Sequence, residues 1–152
     1  MEAVFRAVQP SDVEALFSVR ARTRENAISK DQLASIGITV GSLAEGMHSG
    51  RVIGQVCLHE SNLVGFCLGD IAQGEVLVLA VLPEYERRGI GTRLLSLVVD
   101  GLRSAGCPTL WLAASADPTV RAHGFYRSLG WRPSGRKQGG DEILVLETGS
   151  RS

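Results

Sequence analysis

The sequence predicts an α/β domain of the α+β kind, with a mixed, mostly antiparallel central sheet of about six or seven strands flanked by about four helices. Three observations predict it. Between Arg51 and Leu82, three strand-period segments follow one another through short turns, which makes a meander with antiparallel pairs. From Glu75 to Ala114 a strand, a long amphipathic helix and a second strand follow in order, which requires a parallel pair with a right-handed crossover. The chain then closes on a hairpin between Trp131 and Glu147.

Residues Ala3 to Val8 form the first strand, closed by Pro10. Ser11 and Glu14 have capping-box spacing, and Val13, Leu16, Phe17 and the alkyl part of Arg20 share one face of a helix reaching about Arg24. Leu33, Ile36 and Val40 to Met47 mark one or two short helices. Arg51–Leu58 and Leu63–Gly69 flank a Ser61-Asn62 turn, and Gln73-Gly74 turns into a third strand, Glu75 to Leu82. That strand is almost wholly apolar, so burial on both faces is expected. Ile90, Leu94, Val98 and Leu102 set a long helix that stops near Gly106. Thr109 to Ala114 is a second buried strand. Asp117 as N-cap, Pro118 at the first helical position and Gly130 past the end bracket a helix carrying Ala122, Phe125 and Leu129. Trp131–Arg136 and Glu142–Glu147 form the last hairpin.

The 152 residues suit a single domain over 1–152, with no internal repeat or linker. Sixteen basic residues balance sixteen acidic ones, so no global field draws the chain to nucleic acid or an anionic membrane. Any bound anion must be captured locally. Cys57, Cys67 and Cys107 form no CxxC pair and leave one thiol over, which points to reduced cysteines and a cytoplasmic setting. No stretch approaches the ~20 apolar residues of a membrane span. No ligand set for a metal is recognisable.

The chemistry is concentrated in two stretches. In Val81-Leu82-Pro83-Glu84-Tyr85-Glu86-Arg87-Arg88-Gly89-Ile90-Gly91-Thr92 a strand breaks at a proline and enters a helix through two glycines. Glycines leave successive amides exposed at the positive end of the helix, an anion site of pyrophosphate character. Arg87, Arg88 and Arg93 add positive charge. A dinucleotide fingerprint would need glycine at Leu94, and a P-loop needs a Gly-Lys pair that the sequence lacks. The second stretch is Phe125-Tyr126-Arg127-Ser128-Leu129-Gly130-Trp131.

Taken together, the strand, the Arg87-Arg88-Gly89-Ile90-Gly91 loop, the long helix, the next strand and the Phe125–Trp131 segment resemble the GNAT superfamily of acyl-CoA N-acyltransferases. The core motif, Gln/Arg-x-x-Gly-x-Gly/Ala, matches Glu86 to Gly91 at both glycines, and the later helix motif matches Tyr126, Gly130 and Trp131. The resemblance is clear over residues 75–131 and looser across the rest.

It implies acetyl-CoA as co-substrate, no metal, and a small-molecule or peptide amine as acceptor. Leu79, Ala80 and Val81 would pair with the pantetheine arm. Amides of Arg87, Arg88, Gly89, Ile90, Gly91 and Thr92 would hold the pyrophosphate. Tyr126 would protonate the departing thiolate. Thr119 stands where many relatives have a cofactor-touching asparagine, and Glu25 and Asn26 lie where relatives build the acceptor pocket. Homodimers are frequent among relatives, so a homodimer is one state open to the chain.

Two departures stand out. Glu86 replaces the usual Gln or Arg, and Val78 replaces the mid-strand Glu that serves many relatives as base. Glu75 is about 20 Å along the strand from Val81, too far for that role. His59, Glu60 and His123 are expected to be exposed or structural. A non-catalytic acyl-CoA sensor of the same fold is the alternative expectation, and a covalent cysteine route is disfavoured because Cys57 and Cys67 fall on buried strands.

Overall fold

The computed structural model describes residues 2–23, 39–115, 121–138 and 141–147. Strand β1 (Val4–Ala7) leads through a single 3-10 turn, Pro10–Asp12, into α1 (Val13–Ala21). Helix α2 (Val40–Ser49) precedes the meander β2 (Val52–His59), β3 (Asn62–Asp70) and β4 (Glu75–Val81). Then come α3 (Ile90–Ser104), β5 (Thr109–Ser115), α4 (Arg121–Ser128), β6 (Arg132–Gln138) and β7 (Asp141–Glu147). The seven strands form one mixed sheet in the order β1-β2-β3-β4-β5-β7-β6, antiparallel except between β4 and β5.

The predicted helix start at Ser11 is corrected. The Asp12 carboxylate, not Ser11 with Glu14, organises this end: it accepts the Gln9 amide at 2.8 Å and both Arg6 Nη atoms at 2.9 Å. The reason is reach across the turn. Arg6 lies on β1, so Asp12 ties strand to helix as well as closing the turn. The β2–β3 turn falls on Glu60 and Ser61, both with positive φ (53° and 69°), one residue earlier than expected.

The two faces of the sheet are covered by different helices. On one face α3 buries Ile90, Leu94, Leu95, Val98, Val99 and Leu102. It lies so close that a Cβ at Gly69 would sit 3.0 Å from Val98 Cγ1, and one at Gly101 would sit 2.8 Å from Ile53 Cδ1. On the other face α2 approaches Val52 through Gly46, and α1 joins it through Val13 and Phe17 against Val40, Leu43 and Met47. Side chains alternate along a strand, so Val52 and Ile53 point to opposite faces and α1 lies across the sheet from α3. Burying a leucine such as Leu94 or Leu102, each 0% exposed, contributes roughly 1.5–3 kcal/mol.

Two calls of full burial are corrected. In β4 Leu77 is 37% exposed and Val78, Leu79 and Val81 are only half-buried. In β5 Leu110, Leu112 and Ala114 are buried while Thr109 and Ala113 are exposed. In β5 the exposed residues alternate with the buried ones, so one face of that strand is uncovered. The strands are paired as parallel neighbours only where Glu75 meets Trp111. Beyond that point each strand has lost a neighbour on one side.

Candidate functional site

A register skip between Leu68 and Gly69 leaves Leu77 without a partner on β3 and resets the phase of β4. The Leu82 amide donates to the Val64 carbonyl at 2.9 Å, so the pairs 64/82, 66/80 and 68/78 exchange backbone bonds. By alternation Ala80 bonds to Phe66, while Leu79 and Val81 turn their amides and carbonyls toward the β5 side. Among the described residues no strand pairs with β4 there beyond Glu75. An apolar strand thus offers an open backbone edge, and such groups seek partners.

That edge runs into the loop singled out in the sequence. Pro83–Tyr85 forms a 3-10 turn, with the Tyr85 amide on the Leu82 carbonyl at 2.9 Å and the Glu86 amide on Pro83 at 3.2 Å. Arg87 (φ 65°) and Gly89 (φ 79°) are left-handed, and the Arg87 conformation is strained for a side-chain-bearing residue. Gly89 is the N-cap of α3 and receives no side-chain hydrogen bond. The first intrahelical bond is Arg93 N–H to the Gly89 carbonyl at 3.1 Å, so the amides of Ile90, Gly91 and Thr92 precede the helical ladder. Arg88 lies over the Tyr85 ring at 5.5 Å, and Tyr85 Oη is 2.8 Å from His59 Nδ1. His59 is therefore a support for the loop.

Gly91 marks where the parts converge. A Cβ built there would lie 3.8 Å from Phe125 Cζ, 3.9 Å from Val81 Cγ2 and 4.0 Å from Leu79 Cδ2. These are ordinary contacts, so the chain's own packing does not demand glycine here. Gly91 thus sits where β4, α3 and α4 meet, at the end of α3 whose first amides lie outside the helical ladder. The residues present thus fit a diphosphate carried on an extended amide-bearing arm.

Tyr126 follows Phe125 on α4. It packs edge-on against Phe125 and Trp131, with centroids 5.1 and 6.2 Å away. Its hydroxyl makes no hydrogen bond to a described residue. Burial pushes that phenol well above its ordinary value, aided by Cys67, while the charge of Arg20 pulls it the other way. It therefore keeps its proton across the physiological range.

The segment is held by the end of its helix. Gly130 (φ 99°) donates to the Arg127 carbonyl at 3.2 Å and Trp131 to the Tyr126 carbonyl at 3.2 Å, a Schellman stop with the buried Trp131 indole against the Tyr126 ring. Arg127 Nη2 also donates to Glu142 Oε2 at 2.6 Å, fastening α4 to β7.

Of the residues singled out from sequence, Leu79, Val81, Gly91 and Phe125 are brought together, and Tyr126 packs edge-on against Phe125. Glu25, Asn26, Thr119, Asp117 and Pro118 lie outside the described residues. Glu75 stands at the far end of β4, where burial and the neighbouring Asp70 raise its carboxyl. Two features escaped the sequence: the splay of β4 from β5, and Arg20, which shares the electrostatics of Tyr126. Half-buried arginine on an amphipathic helix gives no periodic signal of its own. A cavity of about 340 Å³ lies between α1 and the 83–85 turn, lined among others by Ser18, Arg22, Asn62, Glu84 and Tyr85. Among the described residues no cluster of His, Cys, Asp or Glu could hold a metal, and no helix is long and apolar enough to cross a membrane.

A family model for GNAT acetyltransferases matches residues 14–131. Over 71 residues the chain is 42% identical to the ribosomal protein bS18-alanine N-acetyltransferase of Escherichia coli K12, covering 45% of this chain and 47% of that protein. The Salmonella typhimurium enzyme of the same name is 32% identical over 74 residues, 47% and 49% of the two chains. The matched stretch thus spans about half the length of these curated relatives. The fold is that of a PaiA N-acetyltransferase from Thermoplasma acidophilum solved with coenzyme A (TM-score 0.81, 22% identity, 97% of this chain and 100% of that one). It is also that of the E. coli S18-alanine enzyme (TM-score 0.70, 22% identity, 99% and 97%).

Proposed function

The chain belongs to the GNAT acetyltransferase family, and from that premise we propose that it moves an acetyl group from acetyl-CoA to a primary amine of a small molecule or peptide, by direct attack in a ternary complex. The observation that carries the proposal is the open edge of β4 at Leu79 and Val81 running to Gly91, with Phe125, the neighbour of Tyr126, against it; from it we infer a recess for the diphosphate at Gly91 with Tyr126 serving the same cleft. Acetyl-CoA supplies the activated acyl thioester. Amides of Gly89 to Thr92 hold its diphosphate at the positive end of α3, with Arg87, Arg88 and Arg93 nearby. Leu79 and Val81 bind the pantetheine amides as an added strand would. Ala80 bonds inward to Phe66, so its part is to set the phase of its neighbours.

The Val81 amide is suited to steady the carbonyl oxygen as charge develops on it. As the N–C bond forms and the C–S bond breaks, Tyr126 gives its proton to the sulfur, the amine loses a proton to solvent, and solvent returns one to Tyr126. No carboxylate stands at mid-strand, where Val78 is half-buried. Positioning therefore contributes more here than a dedicated base.

The test is a panel of amino acids, polyamines, aminoglycosides and peptide N-termini, with thiol release from acetyl-CoA as readout. Steady release with any amine supports transfer. Binding of coenzyme A without release on any amine would leave the sensor reading instead.

A further inference from the structure

Arg20 lies in the last turn of α1. Among the described residues its Nε is the one buried side-chain nitrogen or oxygen without a hydrogen-bond partner. Other arginines differ: Arg6, Arg22, Arg51, Arg103 and Arg127 each have a carboxylate within 4 Å, and Arg20 has none among the described residues. Arg20 is half-buried, and an Nε–H covered from water without a partner is unfavourable. A fold that keeps one has left a place for an anion. Burial is the dominant influence on Arg20, and Tyr126 is the described group coupled to it electrostatically.

The side of approach matters. The recess for the diphosphate belongs to α3 on one face of the sheet, while α1 lies on the other face. From that other face α1 packs on β3 and β4, and Arg20, in its last turn, is the arginine coupled electrostatically to Tyr126. A guanidinium edge presents Nε–H and Nη–H in parallel, which matches the two oxygens of a carboxylate. A neutral amide could accept one of those bonds but would leave the charge uncompensated.

We propose that Arg20 determines acceptor specificity by binding an anionic group, so that amines carrying a carboxylate, as free amino acids or acidic peptides do, are the preferred acceptors. This rests on the acyl-transfer function proposed above and narrows its substrate class.

The experiment compares matched acceptors, alanine with alaninamide and Ala-Glu-amide with Ala-Gln-amide, on the wild type, Arg20→Gln and Arg20→Lys. The wild type should favour the carboxylate member of at least one pair by about tenfold or more in kcat/KM, as a charge-assisted bond implies. The pair that responds tells a free amino acid from an acidic peptide. In Arg20→Gln that ratio should fall to about one through the acceptor KM, with the acetyl-CoA KM unchanged. Arg20→Lys should keep part of the preference. Removing an unpaired buried charge should leave the thermal midpoint unchanged or higher. Transfer with no carboxylate preference, or a preference that survives Arg20→Gln, overturns this inference alone. Equal losses for both acceptors with a lowered midpoint assign Arg20 to the fold and overturn it too. Absence of transfer to every amine, with coenzyme A bound, removes both this inference and the function beneath it.

Discussion

The Trp131 amide donates to the Tyr126 carbonyl across 3.2 Å, and the two rings meet edge-on at 6.2 Å. One helix ending thus fixes the residue proposed as acid. Gly130, at φ 99°, is what lets the chain turn back to make that bond.

Gly130→Ala should therefore destabilise the fold by about 1–2 kcal/mol, the cost of a left-handed residue with a Cβ. Thermal unfolding measures the loss, and kcat should fall with it while coenzyme A still binds. The neighbouring space is not the obstacle, since the new Cβ would sit 3.7 Å from Leu146 Cδ1.

Tyr126→Phe should lower kcat by roughly 100-fold, the scale of one lost general acid, with acetyl-CoA affinity nearly intact. Because burial raises the phenol above its ordinary value, wild-type kcat should show no basic limb from this residue up to about pH 10. A steady-state pH profile checks both. An unchanged turnover number would remove Tyr126 from the mechanism.

Acid should unfold the protein through two tethered carboxylates. Arg6 holds the Asp12 carboxyl below its ordinary value. Burial opposes the charge on Asp70, but Arg51 and the amides of Ala72 and Gln73 outweigh it, and its carboxyl also lies low. Depressed folded values mean that the unfolded chain binds these protons first. The stabilisation is complete above about pH 4 and drains as pH falls through the folded values. Asp70→Ala should cost about 1–2 kcal/mol at neutral pH, because it removes the bonds of a buried carboxylate to Arg51 and to the turn amides. Asp12→Asn with Asp70→Asn should flatten the stability profile below pH 4.

Burial pushes the Cys57 and Cys67 thiols up, and both side chains are 0% exposed. Iodoacetamide should label the folded protein at Cys107 alone, with transfer activity retained. Mass spectrometry of the labelled chain decides. Labelling of Cys67 with loss of activity would reopen a covalent route.

Element types and order were legible because their signals are local: the 3.6-residue period from Ile90 to Leu102, the turns between meander strands, and glycine at the helix stops. The loop at Arg87–Thr92 was legible for the same reason. The splay was not. An apolar run such as Glu75–Leu82 looks the same whether a neighbouring strand or a ligand covers it, so the expectation of full burial followed and was wrong. Leu79 and Val81 owe their outward backbone to a register skip at Leu77, which depends on β3 and has no trace in β4 itself. The Asp12 tether was missed because Arg6 comes from another element, whereas Ser11 and Glu14 offered a local pattern.

The account depends on a diphosphate settling at Gly91. Calorimetry with coenzyme A on the wild type and Gly91→Asp tests it directly, since a carboxylate in the first turn of α3 favours the helix while its charge and bulk fill the recess. The wild type should bind with a Kd on the order of 10–100 µM, and Gly91→Asp should lose at least about 100-fold with its thermal midpoint kept. Equal affinity in both proteins, or no heat with the wild type at millimolar coenzyme A, would contradict it.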